Sequence, residues 1–178
     1  MVAVMHDSGV PTREDFHEAI TARADRWMAA CLKITRDPGL AEDAVQEGLL
    51  MAWNKREQFK GGSRLDTWIH RITVNAALQM LRKRRPDSFD PQMFDIEDEA
   101  LSAEDDRLAD ELETDLKTAL EDLSDMERSC FVLKHLEQWR LQEIADELDI
   151  TLGTVKQALF RGVRKLRRRT PALRSIAQ

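Results

Sequence analysis

An all-α chain of two small helical domains joined by an acidic flexible linker is what the sequence predicts, and three observations lead there. Apolar residues recur every three or four positions from about Phe16 to Leu166, with almost no strand-like alternation. The segment "PDSFDPQMFDIEDEALSAEDD" interrupts that period with two prolines and dense acid, a composition that cannot bury enough surface to fold alone. Beyond it, a short helical pattern, a break at "DITLG" and a strongly basic helical stretch follow in the order of a helix-turn-helix.

Taken in order, residues 1–12 read as a disordered N-terminus. A first helix is expected over about 13–35, closed by "RDPG", a second over about 40–59, closed by "KGG", and a third over about 65–85. These make a first domain of residues 13–86, followed by the linker at 87–107. Leu108, Leu112, Leu116 and Leu120 restart a helical stripe, and "SDME" sets Ser124 and Glu127 at capping-box spacing. Leu141, Ile144, Ala145 and Leu148 then mark one face of a short helix, and a basic helix begins at about Thr154. The second domain is residues 108–170. Residues 171–178 read as a tail, and no added carboxyl-terminal sensing domain is expected.

The 178 residues are 42% hydrophobic with a formal net charge of -6, the composition of a soluble protein. No run approaches the ~18 consecutive apolar residues of a membrane span, and "MVAVMHDSGVPT" lacks a signal peptide's basic start and apolar stretch. A cytoplasmic protein without membrane insertion is expected. Cys31 and Cys130 are far apart and read as buried thiols, and His6, His17, His70 and His135 are scattered. With no P-loop, GxSxG, HExxH or GxGxxG, no enzyme, metal or cofactor is expected.

Three faces carry more than a core requires. In "GTVKQALFRGVRKLRRR", at ~100° per residue, Val155, Leu159, Gly162 and Leu166 share the core side. Gln157, Phe160, Arg161, Arg164 and Arg168 lie opposite. A solvated basic face is the competing reading, but it leaves Phe160 among the polar residues without a partner. In a DNA major groove, Gln157 and Arg161 would bond base edges, Phe160 would touch a thymine methyl, and Lys156, Arg164 and Lys165 would neutralise phosphates. Thr154, at the start of the helix, joins this set.

The helix after the double glycine puts Trp68, Ile69, Ile72, Ala76 and Met80 toward the core. Beside them Trp68, Arg71, Asn75 and Arg82 form a second stripe, with Phe59 and Ser63 in the preceding loop. Aromatic rings, an amide and cations suit single-stranded DNA, whose bases stack or are held by hydrogen bonds while arginines follow the backbone. In "LAEDAVQEGLLMAWNKREQF", Val45, Leu49 and Ala52 are expected in the core, while Asp43, Glu47, Leu50 and Asn54 project outward. A leucine on a polar face points to a protein contact. Gly48 costs about 1 kcal/mol relative to alanine in a helix interior, and the sequence supplies no reason for it.

Together "AEDAVQEGLLMAW", "TWIHRITVNAALQMLRKRR" and "LSDMERSCFVLKHLEQWRLQEIADELDITLGTVKQALFRGVRKLRR" resemble regions 2 and 4 of a sigma-70 family factor. The compact group without region 3, the extracytoplasmic-function (ECF) sigma factors, is most similar, from about Phe16 to Arg168. The resemblance implies binding to bacterial core RNA polymerase, through its β′ coiled coil and β subunit, and direction of that enzyme to promoters. Asp43, Gln46, Glu47 and Leu50 map to the polymerase-binding face. Phe59, Ser63, Trp68 and Asn75 map to the site that captures a flipped minus-10 base, and Lys156, Gln157, Phe160 and Arg161 to the minus-35 reader. An anti-sigma factor is a further implied partner. The recognition loop departs from the usual "GDSSF"-like pattern as "GGSRL", with Gly62 in place of an acid and Leu65 in place of an aromatic, and "VQEGLL" replaces "VQETFL".

Two other readings compete. A sigma-like mimic that sequesters an anti-sigma factor would need no basic recognition face, yet Arg161, Arg164 and the "RKRR" run are present. A duplex repressor using only the helix-turn-helix would leave both faces of the first domain unexplained.

Overall fold

The computed structural model describes residues 9–90 and 118–169, and every regular element among them is helical. The chain divides into two compact units, Met1–Leu81 and Arg82–Gln178.

In the first unit, α1 (Arg13–Thr35) starts at a capping box: the Thr12 N–H donates to Asp15 Oδ2 at 2.8 Å and the Asp15 N–H to Thr12 Oγ1 at 3.3 Å. Pro11, within the stretch read as the N-terminus, is buried beside this cap. Arg36 ends α1 in the left-handed region at φ 56. Asp37 then caps α2 (Pro38–Asn54), accepting from the Leu40 N–H at 3.1 Å, with Pro38 in the first turn where a missing N–H costs nothing. A turn of 3₁₀ helix over Arg56–Gln58 replaces the last residues expected in α2. α3 spans Leu65–Arg84.

The packing explains Gly48. A Cβ there would lie 2.6 Å from Thr73 Cα and 2.6 Å from Thr73 Cγ2, so α2 and α3 meet backbone to backbone. The deepest positions of α2 are accordingly Ala41, Ala44, Gly48 and Ala52, while Val45 and Leu49, expected in the core, are half-buried. Hydropathy alone ranks leucine above alanine. Close helix approach reverses that order, because small side chains are what permit it. Phe16, Ala19, Trp27, Ala52 and Ile69 form the core cluster, with Leu49, Trp53, Trp68 and Ile72 packed on its flank.

In the second unit Leu120 is buried, whereas Leu108, Leu112 and Leu116 lie outside the described residues. So does most of the expected linker. Its first residues are described and are not free chain: Pro86–Phe89 forms a 3₁₀ turn with Phe89 buried, packed against α4 (Asp125–Phe131). The capping box at Ser124 and Glu127 forms as expected. α4 widens into a π-helical stretch, Val132–Leu136, closed by the Glu137 N–H donating to the Val132 carbonyl at 3.0 Å. α5 (Leu141–Leu148) and α6 (Leu152–Arg169) follow, and α6 packs on both α4 and α5.

Within α4 the Arg128 side chain is fully buried and donates to Asp125 Oδ1 at 2.6 Å and to the Leu123 carbonyl at 3.3 Å. Burial alone would raise the Asp125 carboxyl; Arg128, with help from Ser88 and Arg85, holds it below its ordinary value. Both cysteines are buried and neither is in a disulfide, and burial, reinforced by the Glu127 charge, pushes the Cys130 thiol up to about 12. That thiol is inert at neutral pH.

Candidate protein and nucleic-acid interfaces

The back of α2 is committed to its neighbours through small residues, which leaves Asp43, Gln46 and Glu47 exposed on the other side with Leu50, itself 60% exposed. Leu50 is not an isolated surface leucine. With Leu49 and Trp53 it forms one wall of an open groove of about 310 Å³, whose other wall is Arg13, Phe16, His17 and Ile20 of α1. Trp53 is fixed there, edge-on to Phe16 at 5.2 Å and capped by the Arg56 guanidinium 4.3 Å from its ring. Sequence reading placed Leu50 on this face but expected Leu49 in the core, and it assigned neither Trp53 nor α1's share of the groove.

The loop before α3 exposes Lys60, Gly61, Gly62, Ser63 and Arg64, with Gly61 at φ 70. Phe59 is buried, its ring 5.3 Å from that of Trp68, which is itself half-buried on the core. Phe59 therefore seats Trp68 instead of offering an open stacking face. Arg71 is exposed, and Asn75 is half-buried with a buried Oδ1 that has no hydrogen-bond partner among the described residues. Arg82 does not join them. It falls in the second unit, where its Nη1 donates to the Glu147 carbonyl at 3.2 Å.

One carboxylate here escaped the sequence reading. Asp66 accepts from Arg23 Nε at 3.1 Å, from Arg64 Nε at 3.1 Å and Nη2 at 3.4 Å, and from the Thr67 N–H at 2.8 Å. Partial burial would raise its pKa, but Arg64, then Arg23 and Thr67, hold it below the ordinary value. "RLD" carries no recognisable spacing signal, and its partner Arg23 is 43 residues away.

The helix-turn-helix is built by caps. The Arg140 N–H donates to Glu143 Oε2 at 2.9 Å at the start of α5, and Asp149 ends that helix in the left-handed region at φ 53. Thr151 Oγ1 accepts the Thr154 N–H at 3.1 Å and shares a hydrogen bond with the Thr154 hydroxyl at 2.9 Å, so Thr154 serves the cap of α6. Val155, Leu159, Gly162 and Leu166 are buried as expected, joined by Ala158 and Val163. Lys156 and Arg164 are exposed, while Phe160, Gln157 and Arg161 are half-buried, the last two already engaged within the chain. Lys165 differs from its expected role. Its Nζ lies 2.6 Å from Glu127 Oε2, neutralising a carboxylate that is 4% exposed, because a buried charge without a partner is costly. The exposed cations opposite the core of α6 are Lys156, Arg164 and Arg168.

No helix among the described residues is long and apolar enough to cross a membrane, and no group of three or more His, Cys, Asp or Glu among them could hold a metal ion.

Two family models match the chain: Sigma-70 region 2 over residues 20–86 and Sigma-70 region 4 over residues 113–166. The chain is 26% identical over 166 residues to the ECF RNA polymerase sigma factor SigW of Bacillus subtilis, covering 88% of this chain and 89% of that one. With the RNA polymerase sigma-H factor of Pseudomonas aeruginosa it shares 31% identity over 144 residues, 75% of each. It spans half the length of the ECF sigma factor SigG of Mycobacterium tuberculosis, at 30% identity. Among solved structures, the sigma factor RpoE co-crystallised with the anti-sigma factor NepR from Bartonella quintana is similar at a TM-score of 0.57 and 26% identity, covering 87% of this chain and 96% of that one. The chain belongs to the ECF RNA polymerase sigma factors of the sigma-70 family.

Proposed function

We propose that the protein binds core RNA polymerase through the outer face of α2, holds a melted minus-10 strand on the loop before α3 and that helix's exposed stripe, and reads minus-35 duplex with α6. The observation that carries this reading is the division of chemistry between the two units. The first exposes acid and a leucine on α2, and Ser63, Arg71 and the half-buried Asn75 around α3. The second exposes the cations of a capped helix-turn-helix. Polar and acidic surface with an apolar rim suits a protein partner, an amide and hydroxyl beside an aromatic pair suit an unstacked base, and a cationic helix suits a duplex groove.

Within this scheme Asp43, Gln46, Glu47 and Leu50 meet the β′ coiled coil, and the α1–α2 groove widens that contact. Asn75 supplies an amide edge to the extruded base, Ser63 a hydroxyl, and Arg71 a phosphate contact, with Trp68 held in position by Phe59. Lys156 and Arg164 anchor α6 on phosphates, while Gln157, Phe160 and Arg161 read base edges once they exchange their partners within the chain for DNA. An anti-sigma factor competing for the same surfaces accounts for regulation, by analogy with the NepR-bound relative.

The test is a selection from promoter templates randomised over about 40 base pairs, a span that holds both elements at four helical turns' separation or less, transcribed by core polymerase supplemented with this protein. Transcripts should come from templates sharing two elements at fixed spacing. Gln157→Ala and Arg161→Ala should relax the upstream element alone. Enrichment that does not depend on the added protein, or relaxation of the downstream element by those changes, would contradict the assignment.

A further inference from the structure

We infer that Arg64 is a DNA-contacting residue of the loop before α3, donating to acceptor oxygens or ring nitrogens of the melted strand, with Asp66 as the residue that positions it. The inference rests on the minus-10 reading of this face and names a contact that reading does not include. Arg64 opens α3: its carbonyl accepts from the Trp68 N–H at 3.1 Å, so its backbone stands one turn before the ring of the aromatic pair and next to Ser63. Its side chain is 79% exposed, yet it is not loose. Nε and Nη2 form a two-point contact with the Asp66 carboxylate, which is only 11% exposed and is held in turn by Arg23 of α1.

A guanidinium gripped along its Nε edge keeps its outer edge for another acceptor, and its planar fork loses little further freedom on binding one. Charge favours that use as well. One carboxylate between two guanidiniums leaves a positive charge in excess, so the cluster attracts an anionic strand instead of cancelling itself. A surface ion pair of this exposure adds little to stability, which makes its two-point geometry an arrangement without an evident structural reason. The same edge fits a backbone phosphate or the O6 and N7 of guanine.

The experiment uses reconstituted holoenzyme and a pre-melted bubble template made from a promoter selected as above. Binding is measured against salt for Arg64→Ala, Arg64→Lys, Asp66→Asn, Arg23→Ala and Asn75→Ala, and against each base substituted in the bubble. Arg64→Ala should weaken binding by about tenfold, the scale of one charged hydrogen-bonded contact. If the acceptor is a phosphate, the loss is independent of sequence, the salt slope falls by about 0.7, and Arg64→Lys restores part of the binding. If it is guanine, the loss is confined to one position and lysine does not restore it. Either pattern supports the proposal. Asp66→Asn should give a smaller loss of the same pattern, while Arg23→Ala, which leaves the Arg64 pair intact but removes the cluster's excess charge, should weaken binding less than Arg64→Ala and leave the base profile unchanged. Wild-type affinity, salt slope and base profile for Arg64→Ala overturn the proposal if Asn75→Ala still weakens binding. Should Asn75→Ala also bind normally, the minus-10 reading fails and the Arg64 contact falls with it.

Discussion

In the first unit α2 and α3 close on each other through Gly48 and Thr73 with alanines around them, whereas in the second unit α4 buries an arginine against an aspartate and a glutamate against a lysine. The two solutions fail differently. A backbone-to-backbone approach tolerates no added volume, and a buried charge tolerates no lost partner. They also place charge differently with respect to function. The first unit's Asp66 cluster sits beside the loop before α3, while the second unit uses Asp125, Arg128, Glu127 and part of α6's own charge, Lys165, to hold the helix-turn-helix together. Basic residues on a recognition helix are therefore not all available to DNA.

The largest effect should come from breaking the second unit's buried pair. Arg128→Ala or Asp125→Ala is expected to cost about 3–5 kcal/mol, the range for stranding one member of a buried ion pair, read by chemical denaturation. Asp125→Leu combined with Arg128→Met should cost less than either single change, since no charge is stranded. The pair also sets an acid sensitivity. The folded carboxyl lies below its unfolded value of 3.8, so its contribution is fully present at neutral pH and is lost as pH falls through the lowered folded value. A pH series on Asp125→Asn should lack that component.

Next comes the first unit's volume limit. Gly48→Ala gains about 1 kcal/mol of helix propensity but drives a methyl into Thr73, and overpacking of this kind costs about 1–3 kcal/mol, so a net loss in thermal stability is expected. Thr73→Ser removes the Cγ2 methyl and should recover only part of that loss, because the new methyl still meets the Thr73 backbone. An equal or higher melting temperature for Gly48→Ala would show that the two units do not differ in this way.

The smallest effect sharpens the contrast in the second unit's turn. Gln138 lies at φ 58, in the left-handed region, where a side chain is strained by about 1–2 kcal/mol. Its Nε2 donates to the His135 carbonyl at 2.9 Å, which offsets part of that strain. Gln138→Gly should raise the melting temperature modestly, by the equivalent of about 0.5–1 kcal/mol. A fall would mean that the side-chain hydrogen bond outweighs the backbone strain.

Helix order, the capping box at Ser124 and the core stripe of α6 were legible in the sequence because each follows from local periodicity or spacing. The ends of α1 and α3 were legible for the same reason. Contacts between segments distant in the chain were not. Gly48 has no meaning until Thr73 faces it, Asp66 none until Arg23 approaches, and Lys165 resembles its neighbours in α6 until Glu127 lies beneath it. The cover over Phe59 was not legible for a related reason: its ring meets Trp68 through the fold and not through local spacing. Arg82 continues the α3 stripe by period, and only the Glu147 carbonyl, distant in the chain, shows that its guanidinium has a partner within the protein.

Because Phe59 and Trp68 support the core as well as the candidate site, Asn75 gives the cleaner test of the claim that the first unit holds a melted strand and the second reads duplex. The decisive measurement is permanganate reactivity of promoter thymines in holoenzyme carrying Asn75→Ala, on duplex and on a pre-melted bubble. The account predicts that reactivity is lost on the duplex while the complex still forms. Reactivity should return in part on the bubble, where an unstacking cost of a few kcal/mol has already been met. Thymines as reactive as those of the wild-type complex on duplex DNA would contradict it.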